Sequence, residues 1–499
     1  MLSLTVFLPL LAAGLVLPAR RGLPEAAVRW LWVAVSAVEL GLVAVLWATY
    51  DGPGIGHETD RPWIPGAGAG YHIGVDGLSL PLLALTATVF LACAVYSLRD
   101  RRAQRGIRRF TALFLALETT CLGLFAALDL ILFFLFFDLS IVGMYLVIAG
   151  WGHGEQAARS ALKFFLYTFV GSLALLLGFI GLYAASDPHT FDITELTADP
   201  PLEGGGAAGA LVLLAIAVGL AVKTPTFPFH TWLPPAHTDA PAAGSAVLAA
   251  VLLKMGTYGF VRIAMPILPE DWRTYATVVV AVGVVSVLYG ALVALAQSDF
   301  KRMVAYTSVN HMGYVLLALG AAGTAAGTDG AARSTAVTGA VVQMVSHGLI
   351  TGALFLLAGV LMERGGTYEM DTWGGLAGPM PRFAALTAVA AFASLGLPGF
   401  SGFVAEFQIF AGSLGAVPVA TALALLGILV TAGLFLWALH RLLLGARREP
   451  KPVGADLRPA ELLSVAPLLA LSLLIGVLPR WLLDTVEPAA RTAVELVSR

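Results

Sequence analysis

The chain has 499 residues, 58% of them hydrophobic and only 12% charged, with a formal net charge of −2. A soluble domain carries about 25% charge, so this composition leaves too little polar surface to solvate a molecule of this size, and its solvent must be largely lipid. The near-neutral balance, with no basic stretch standing clear of the apolar runs, argues against a nucleic-acid partner.

A bilayer core about 30 Å thick asks for apolar helices of roughly 18–25 residues, and such stretches recur along the whole chain. Hydropathy predicts about fourteen spans, in chain order 2–18, 28–49, 78–98, 110–127, 129–150, 161–184, 208–224, 240–265, 274–296, 301–320, 335–362, 382–413, 417–445 and 459–479. The alternation of a membrane β-barrel is absent, which leaves an all-α polytopic membrane protein. Met1–Pro18 lacks a positive region before its apolar run, and Arg20 and Arg21 follow it, so it reads as a retained first helix that starts outside. Loops after odd-numbered spans are then cytoplasmic and hold 20 of the 29 Lys/Arg, including the Arg99–Arg109 and Arg441–Arg458 clusters. Seven lie outside, and Lys223 and Lys254 fall within the membrane. The outer loops are acidic, notably Asp187–Glu203. This split predicts a multi-pass protein of a bacterial-type inner (plasma) membrane with both termini outside. Cys93 and Cys121 sit inside apolar helices without metal-ligand spacing and read as core residues.

Two spans look interrupted. Lys223-Thr224-Pro225-Thr226-Phe227-Pro228 places two prolines beside a lysine, and Leu395-Gly396-Leu397-Pro398-Gly399-Phe400 leads into Glu406. Proline deletes a backbone donor and glycine loosens the helix, so both should break within the membrane. They are the seventh and twelfth spans, and paired broken helices point to inverted repeats with an ion site between them. Spans 4–8 and 9–13 would form two five-helix repeats. The predicted organisation is a three-helix segment over 1–109, a first repeat over 110–265, a second over 266–445 and a C-terminal helix over 446–499.

Asp138 lies in the apolar run Ile131–Tyr145, Lys223 ends another, Lys254 interrupts Val247–Phe260, and Glu406 follows the second break. Each such charge costs about 2.5–3.5 kcal/mol at mid-membrane. Four together cost on the order of 10 kcal/mol, comparable to the stability of a whole domain. A salt-bridge staple between Asp138 and Lys223 is the bland reading; an ion path is the sharper one, because two unlike pairs on broken helices exceed what a staple needs. His311 and His347, on apolar helices between Lys254 and Glu406 in chain order, are either satisfied core residues or a relay. His230 and His237 flank Trp232-Leu233-Pro234-Pro235 and serve either proton uptake near the cytoplasmic face or loop anchoring. Lys163 can snorkel at a helix start or partner Asp138. Glu39, Glu118 and Asp129 are weaker cases of the same kind. No phosphate-binding, dinucleotide-binding, CxxC or HExxH motif is present, and Gly204-Gly205-Gly206 reads as a loop.

Val222-Lys223 with Pro225, His230-Thr231-Trp232-Leu233-Pro234, Ala236-His237 and Ala240-Pro241 resemble the proton-antiporter family shared by respiratory complex I and multisubunit cation antiporters. So do Leu252-Leu253-Lys254, Asp299-Phe300-Lys301-Arg302, His311-Met312-Gly313 and Ser346-His347-Gly348. Within that family the chain is most similar to the subunit M group. Tyr71–Ser79 precedes the third span as it does there, Trp151-Gly152-His153 follows the acidic helix, and span twelve carries an acid, Glu406, where related subunits usually carry lysine. The chain stops soon after its last span, without the long lateral helix typical of subunit L.

The resemblance implies a proton-translocating membrane-arm subunit of a complex-I-type NADH–quinone oxidoreductase, flanked by subunit L-like and subunit N-like homologues. It implies no redox centre in this chain, with quinone, NADH, flavin and iron–sulfur clusters handled by partner subunits. It implies that Asp138 modulates the proton on Lys223, which passes to Lys254 and by way of His311 and His347 toward Glu406. A subunit of a multisubunit cation/proton antiporter or of an ion-pumping hydrogenase is the alternative. Two departures stand out: Asp138 replaces the family's usual glutamate, and Pro235 stands where an acid is common. The shorter Asp138 withdraws its carboxylate by about one methylene.

Overall fold

The computed structural model describes residues 1–17, 24–100, 103–202, 204–324, 329–448 and 455–499. Pro18, Arg20, Arg21, Arg101, Arg102, Glu203 and Lys451, which enter the loop-charge reading above, lie outside the described residues.

The chain folds as a helical bundle: α1 (Leu2–Val16), α2 (Glu25–Ala48), α3 (Leu80–Ser97), α4 (Ile107–Ala126), α5 (Leu130–Trp151), α6 (Ala157–Ala185), the short α7 (Ile193–Ala198), α8 (Ala207–Lys223) and the short α9 (Leu233–Asp239). It continues through α10 (Ala242–Ile267), α11 (Pro269–Leu295), α12 (Phe300–Gly323), α13 (Gly330–Gly365), α14 (Pro381–Ser394), α15 (Ser401–Leu414), α16 (Pro418–Leu443), α17 (Pro459–Val477) and α18 (Arg480–Ser498). Among the described residues ten of these are long and apolar enough to cross a membrane. Helix α12 is not among them; its polar residues Lys301, Thr307, Ser308, Asn310 and His311 are buried, while Arg302 is exposed. Leu166, Leu177, Leu214 and Leu429 are exposed on the outer faces, as lipid-facing helices require, whereas α13 is buried along its whole apolar window.

Both expected breaks are present. Helix α8 stops at Lys223 and the chain turns before α9, and the predicted span over 382–413 divides into α14 and α15 around Leu395–Phe400. Two places depart from the all-helical expectation. A β-hairpin, β1 (Gly56–Ile64) and β2 (Ala69–Val75), fills the segment read as loop between α2 and α3. The C-terminal segment holds two helices, not one. In α18 Leu482, Val486, Ala490, Val494 and Val497 recur at helical spacing and are buried, the mark of an amphipathic helix. It touches the ends of several helices: Trp481 meets Trp47 of α2, Arg273 of α11 donates to Val497 O at 2.8 Å, and Arg333 of α13 donates to Ser498 Oγ at 2.9 Å. It therefore crosses the end of the bundle that carries the hairpin.

One local pattern occurs twice. Asp129 caps α5, Leu130 N donates to Phe191 O at 2.9 Å, and Ile193 N donates to Leu128 O at 2.8 Å. Asp299 likewise caps α12, Phe300 N donates to Tyr368 O at 2.9 Å, and Met370 N donates to Ser298 O at 2.9 Å. The first pair of bridges lies at the hairpin end of the bundle and the second at the opposite end.

At the hairpin end, His72 of β2 joins Glu58 of β1 through Nε2 at 2.7 Å and joins Asp192, the cap of α7, through Nδ1. Burial alone would push this imidazole down, but Asp192, Glu58 and Asp60 outweigh it and hold it at about 9. Burial likewise works against the Asp192 carboxylate, and bonds from His72 and Thr194 hold it below its ordinary value. The folded imidazole thus binds its proton more tightly than the ordinary value near 6.5. Its stabilisation is fully present below that value and is lost as pH rises through about 9. His72→Ala should lower thermal stability at neutral pH, and the gap from wild type should close between pH 8 and pH 10 (about one unit either side of that value) in melts of the detergent-solubilised protein. A gap that persists unchanged at the alkaline end would contradict the clamp.

Candidate functional site

The site grows from the two helix breaks. After Lys223 the two prolines cannot donate, and the chain's freed groups find other partners. Trp232 Nε1 donates to Val222 O at 2.9 Å, and Phe227 N donates to Ser286 Oγ of α11 at 3.0 Å. Lys223 is fully buried at this point. Its Nζ donates to Ser140 Oγ of α5 at 2.9 Å and lies 4.6 Å from the centre of the Phe137 ring. Asp138, on the same turn of α5, is within electrostatic reach but makes no ion pair with it, and its buried Oδ1 has no partner. The salt-bridge staple, the bland alternative, is therefore absent among the described residues: Lys223 donates to the Ser140 hydroxyl instead.

Lys254 stands on α10, where the backbone loosens into π-turns over Leu248–Leu252 and Phe260–Ala264, a distortion common at functional sites. The Ala249 carbonyl, within the first π-turn, accepts from Lys254 Nζ at 2.6 Å. The same Nζ lies 2.6 Å from His347 Nδ1. No carboxylate is within ion-pair distance of Lys254 among the described residues. Gly256 lets α10 lie directly against the end of α8, since a Cβ there would meet Leu220 O at 2.6 Å and collide with the Thr224 side chain.

His347 of α13 packs its ring 5.3 Å from that of His311 of α12. His311 Nε2 is 3.2 Å from Ser394 O, a carbonyl freed where α14 ends, and 3.9 Å from Glu406 Oε1. His347 Nε2 and His311 Nδ1 are both buried without partners. The contact order is thus Lys254, His347, His311, Glu406. That reverses the expected sequence of the two histidines, because α13 lies against α10 while α12 faces the second break. Glu406 is buried on α15, and Ser401 at the head of that helix bonds Ser346 and Ser472 at 2.7 Å each.

The proposed uptake residues separate. His237 is fully buried with both ring nitrogens unpartnered, stacked on Phe355 at 4.4 Å. It lies within electrostatic reach of Lys254, His347 and Lys301. His230 is wedged between Phe227 and Tyr289 with its Nδ1 unpartnered. Lys163 is exposed on α6 and makes no ion pair with Asp138, which removes one of its two expected roles. Sequence reading missed Lys301, which is fully buried with Nζ 2.6 Å from Ala240 O; its position one residue before exposed Arg302 hid it among loop cations. It also missed Ser140, whose place two residues after Asp138 was the available signal. Glu39 and Glu118 are buried together on α2 and α4, with Ser36 donating to Glu118 at 3.0 Å, away from this line.

Among the described residues no group of three or more His, Cys, Asp or Glu is arranged to hold a metal ion. Residues 127–434 match the family described as NADH:quinone oxidoreductase/Mrp antiporter, TM. The chain belongs to this family. It is 38% identical to the NADH-quinone oxidoreductase subunit M of Rhodobacter capsulatus, over 99% of this chain and 96% of that one. It is 38% identical to the F(420)H(2) dehydrogenase subunit M of Methanosarcina mazei, over 87% of this chain and 86% of that one. A chain in the structure of respiratory complex I from Thermus thermophilus with bound NADH superposes with a TM-score of 0.89 at 34% identity, each chain covered completely (100%). A chain of the Mrp complex from a Dietzia species shares the fold, with a TM-score of 0.87 at 21% identity over 99% of both. The matched region in this family member runs from the cap of α5 into α16 and includes every residue of the line above.

Gly396, in the second break, has φ +76 and faces Glu406 so closely that a Cβ would collide with Oε2. Alanine there costs roughly 1–2 kcal/mol in backbone strain alone and must displace the carboxylate from His311. Gly396→Ala should lower the melting temperature modestly and reduce proton translocation far more than assembly. Equal losses of translocation and assembled complex would contradict this coupling of the break to Glu406.

Proposed function

We propose that the chain is a subunit M-like, proton-translocating subunit in the membrane arm of a complex-I-type NADH–quinone oxidoreductase, coupling quinone reduction to proton pumping. The observation that carries this reading is the buried succession Lys254–His347–His311–Glu406, hydrogen-bonded at its first step, in ring contact at the second and at 3.9 Å at the third. The names of relatives matched over nearly the full chain support it. A lysine sharing a proton with a histidine in a dry site is poised between two protonation states. If His347 accepts at Nδ1, its proton resides on Nε2, and His311 donating at Nε2 to Ser394 O leaves Nδ1 free to accept. Short movements that bring His347 Nε2 onto His311 Nδ1, and His311 Nε2 onto Glu406, then pass a proton from Lys254 to Glu406 without any side chain crossing the membrane. Asp138 and Lys223 load the line, and Lys301 and His237 give access to Lys254 from the end of the bundle opposite the hairpin.

The paired caps and bridges at Asp129 and Asp299, on opposite ends, support two inverted repeats over 110–265 and 266–445, with spans 4–8 and 9–13 as their members. On this reading the hairpin, both termini and α18 face the outside of a bacterial plasma membrane. Subunits resembling L and N flank the chain, and the flavin, iron–sulfur and quinone chemistry belongs to partner subunits. The acid at Glu406, where the family usually carries lysine, favours this assembly over a multisubunit antiporter.

Lys223→Ala removes the loading group at the first break. The assembled complex should form, and proton translocation in membrane vesicles should fall by about 100-fold, the usual scale for a proton-transfer residue. Asp138→Glu, which lengthens the carboxylate toward Lys223, should retain translocation. Wild-type pumping in an assembled Lys223→Ala complex would end this reading.

A further inference from the structure

We infer that the cleft between α6 and α8 binds one anionic phospholipid, whose headgroup sits on Arg159, Lys163 and Arg302. The cleft has a volume of about 1110 Å³, opens along one side, and is lined by these three cations together with Asp239, Leu166 and Val222. The cations converge from α6 and from the start of α12, all three are exposed, and none forms an ion pair among the described residues. Unpaired cations gathered at one end of a hydrocarbon-walled groove call for a ligand with a negative head and an apolar tail. One acid, Asp239, faces three bases, so the rim is net positive.

The dimensions fit a single lipid. The α6 wall runs from Arg159 to Ala174, which at 1.5 Å per residue is roughly 22 Å. Half of a bilayer including its headgroups is about 20–22 Å. The cationic rim therefore stands at headgroup level while Leu166 and the deeper wall run beside the acyl chains of one leaflet. Val222, at the foot of the cleft, immediately precedes Lys223. A seated acyl chain thus braces α8 where its backbone hydrogen bonding ends. The site lies outside the proton line and does not depend on the direction or driving force of transport.

The test uses the purified, assembled complex reconstituted in phosphatidylcholine vesicles doped with a photoactivatable phosphatidylglycerol or its phosphatidylcholine counterpart. Peptides covering residues 159–174 should be labelled preferentially by the phosphatidylglycerol probe. Arg159→Gln with Arg302→Gln should weaken that labelling by about tenfold or more. Leu166→Trp, which narrows the apolar wall and leaves the cations in place, should weaken it as well. Equal labelling by both probes, or labelling indifferent to the paired charge removal, would overturn the inference. So would cross-links from this face running only to a neighbouring polypeptide.

Discussion

A lysine ammonium in a hydrocarbon interior needs compensating dipoles or charges, and the surroundings of Lys254 supply them without a carboxylate. The π-turn of α10 turns the Ala249 carbonyl onto Nζ, and His347 stands on the other side. This arrangement constrains the helices around it. Gly256 must stay small so that α10 can lie on the end of α8, and α13 must run deep in the bundle to bring His347 within 2.6 Å of Nζ. A carboxylate in ion-pair contact would hold the lysine charged; a histidine and a carbonyl keep both of its protonation states accessible.

The two breaks act in the same way on the groups beside them. Each ends a helix inside the bundle and exposes backbone carbonyls that lipid cannot satisfy. At the first break Trp232 takes the Val222 carbonyl, and at the second His311 takes that of Ser394. A titratable group flanks each break, Lys223 closing α8 just before the first and Glu406 about one turn into α15 after the second. The breaks therefore place charged groups inside the bundle and provide polar backbone to hold their neighbours. The serine contacts among Ser346, Ser401 and Ser472 tie α13, α15 and α17 around the second break.

Most of the helices, both breaks and the buried charges were legible in the sequence because lipid permits few exceptions to apolar patterning, and proline and glycine mark the places where helices stop. The β-hairpin was not, since its residues carry no long apolar run and its pairing is non-local. Helix α18 was overlooked for a related reason: its amphipathic spacing is plain, but a search for uniformly apolar segments passes over it. The order of His347 and His311 could not be read from the chain, because neighbours in sequence are not neighbours across a bundle. Lys301 and Arg302 are adjacent, yet one side chain is buried and the other exposed. Only helix rotation decides which is which.

The central claim is that protons cross between Lys254 and Glu406 through two imidazoles in contact order. His347→Leu keeps the bulk of the side chain while removing both nitrogens, and so interrupts the line at its middle. The decisive measurement is the ratio of protons translocated to quinone molecules reduced, taken on the intact variant complex in sealed vesicles. The ratio should fall well below that of wild type with assembly retained. An unchanged ratio in the assembled variant would show that protons take another route.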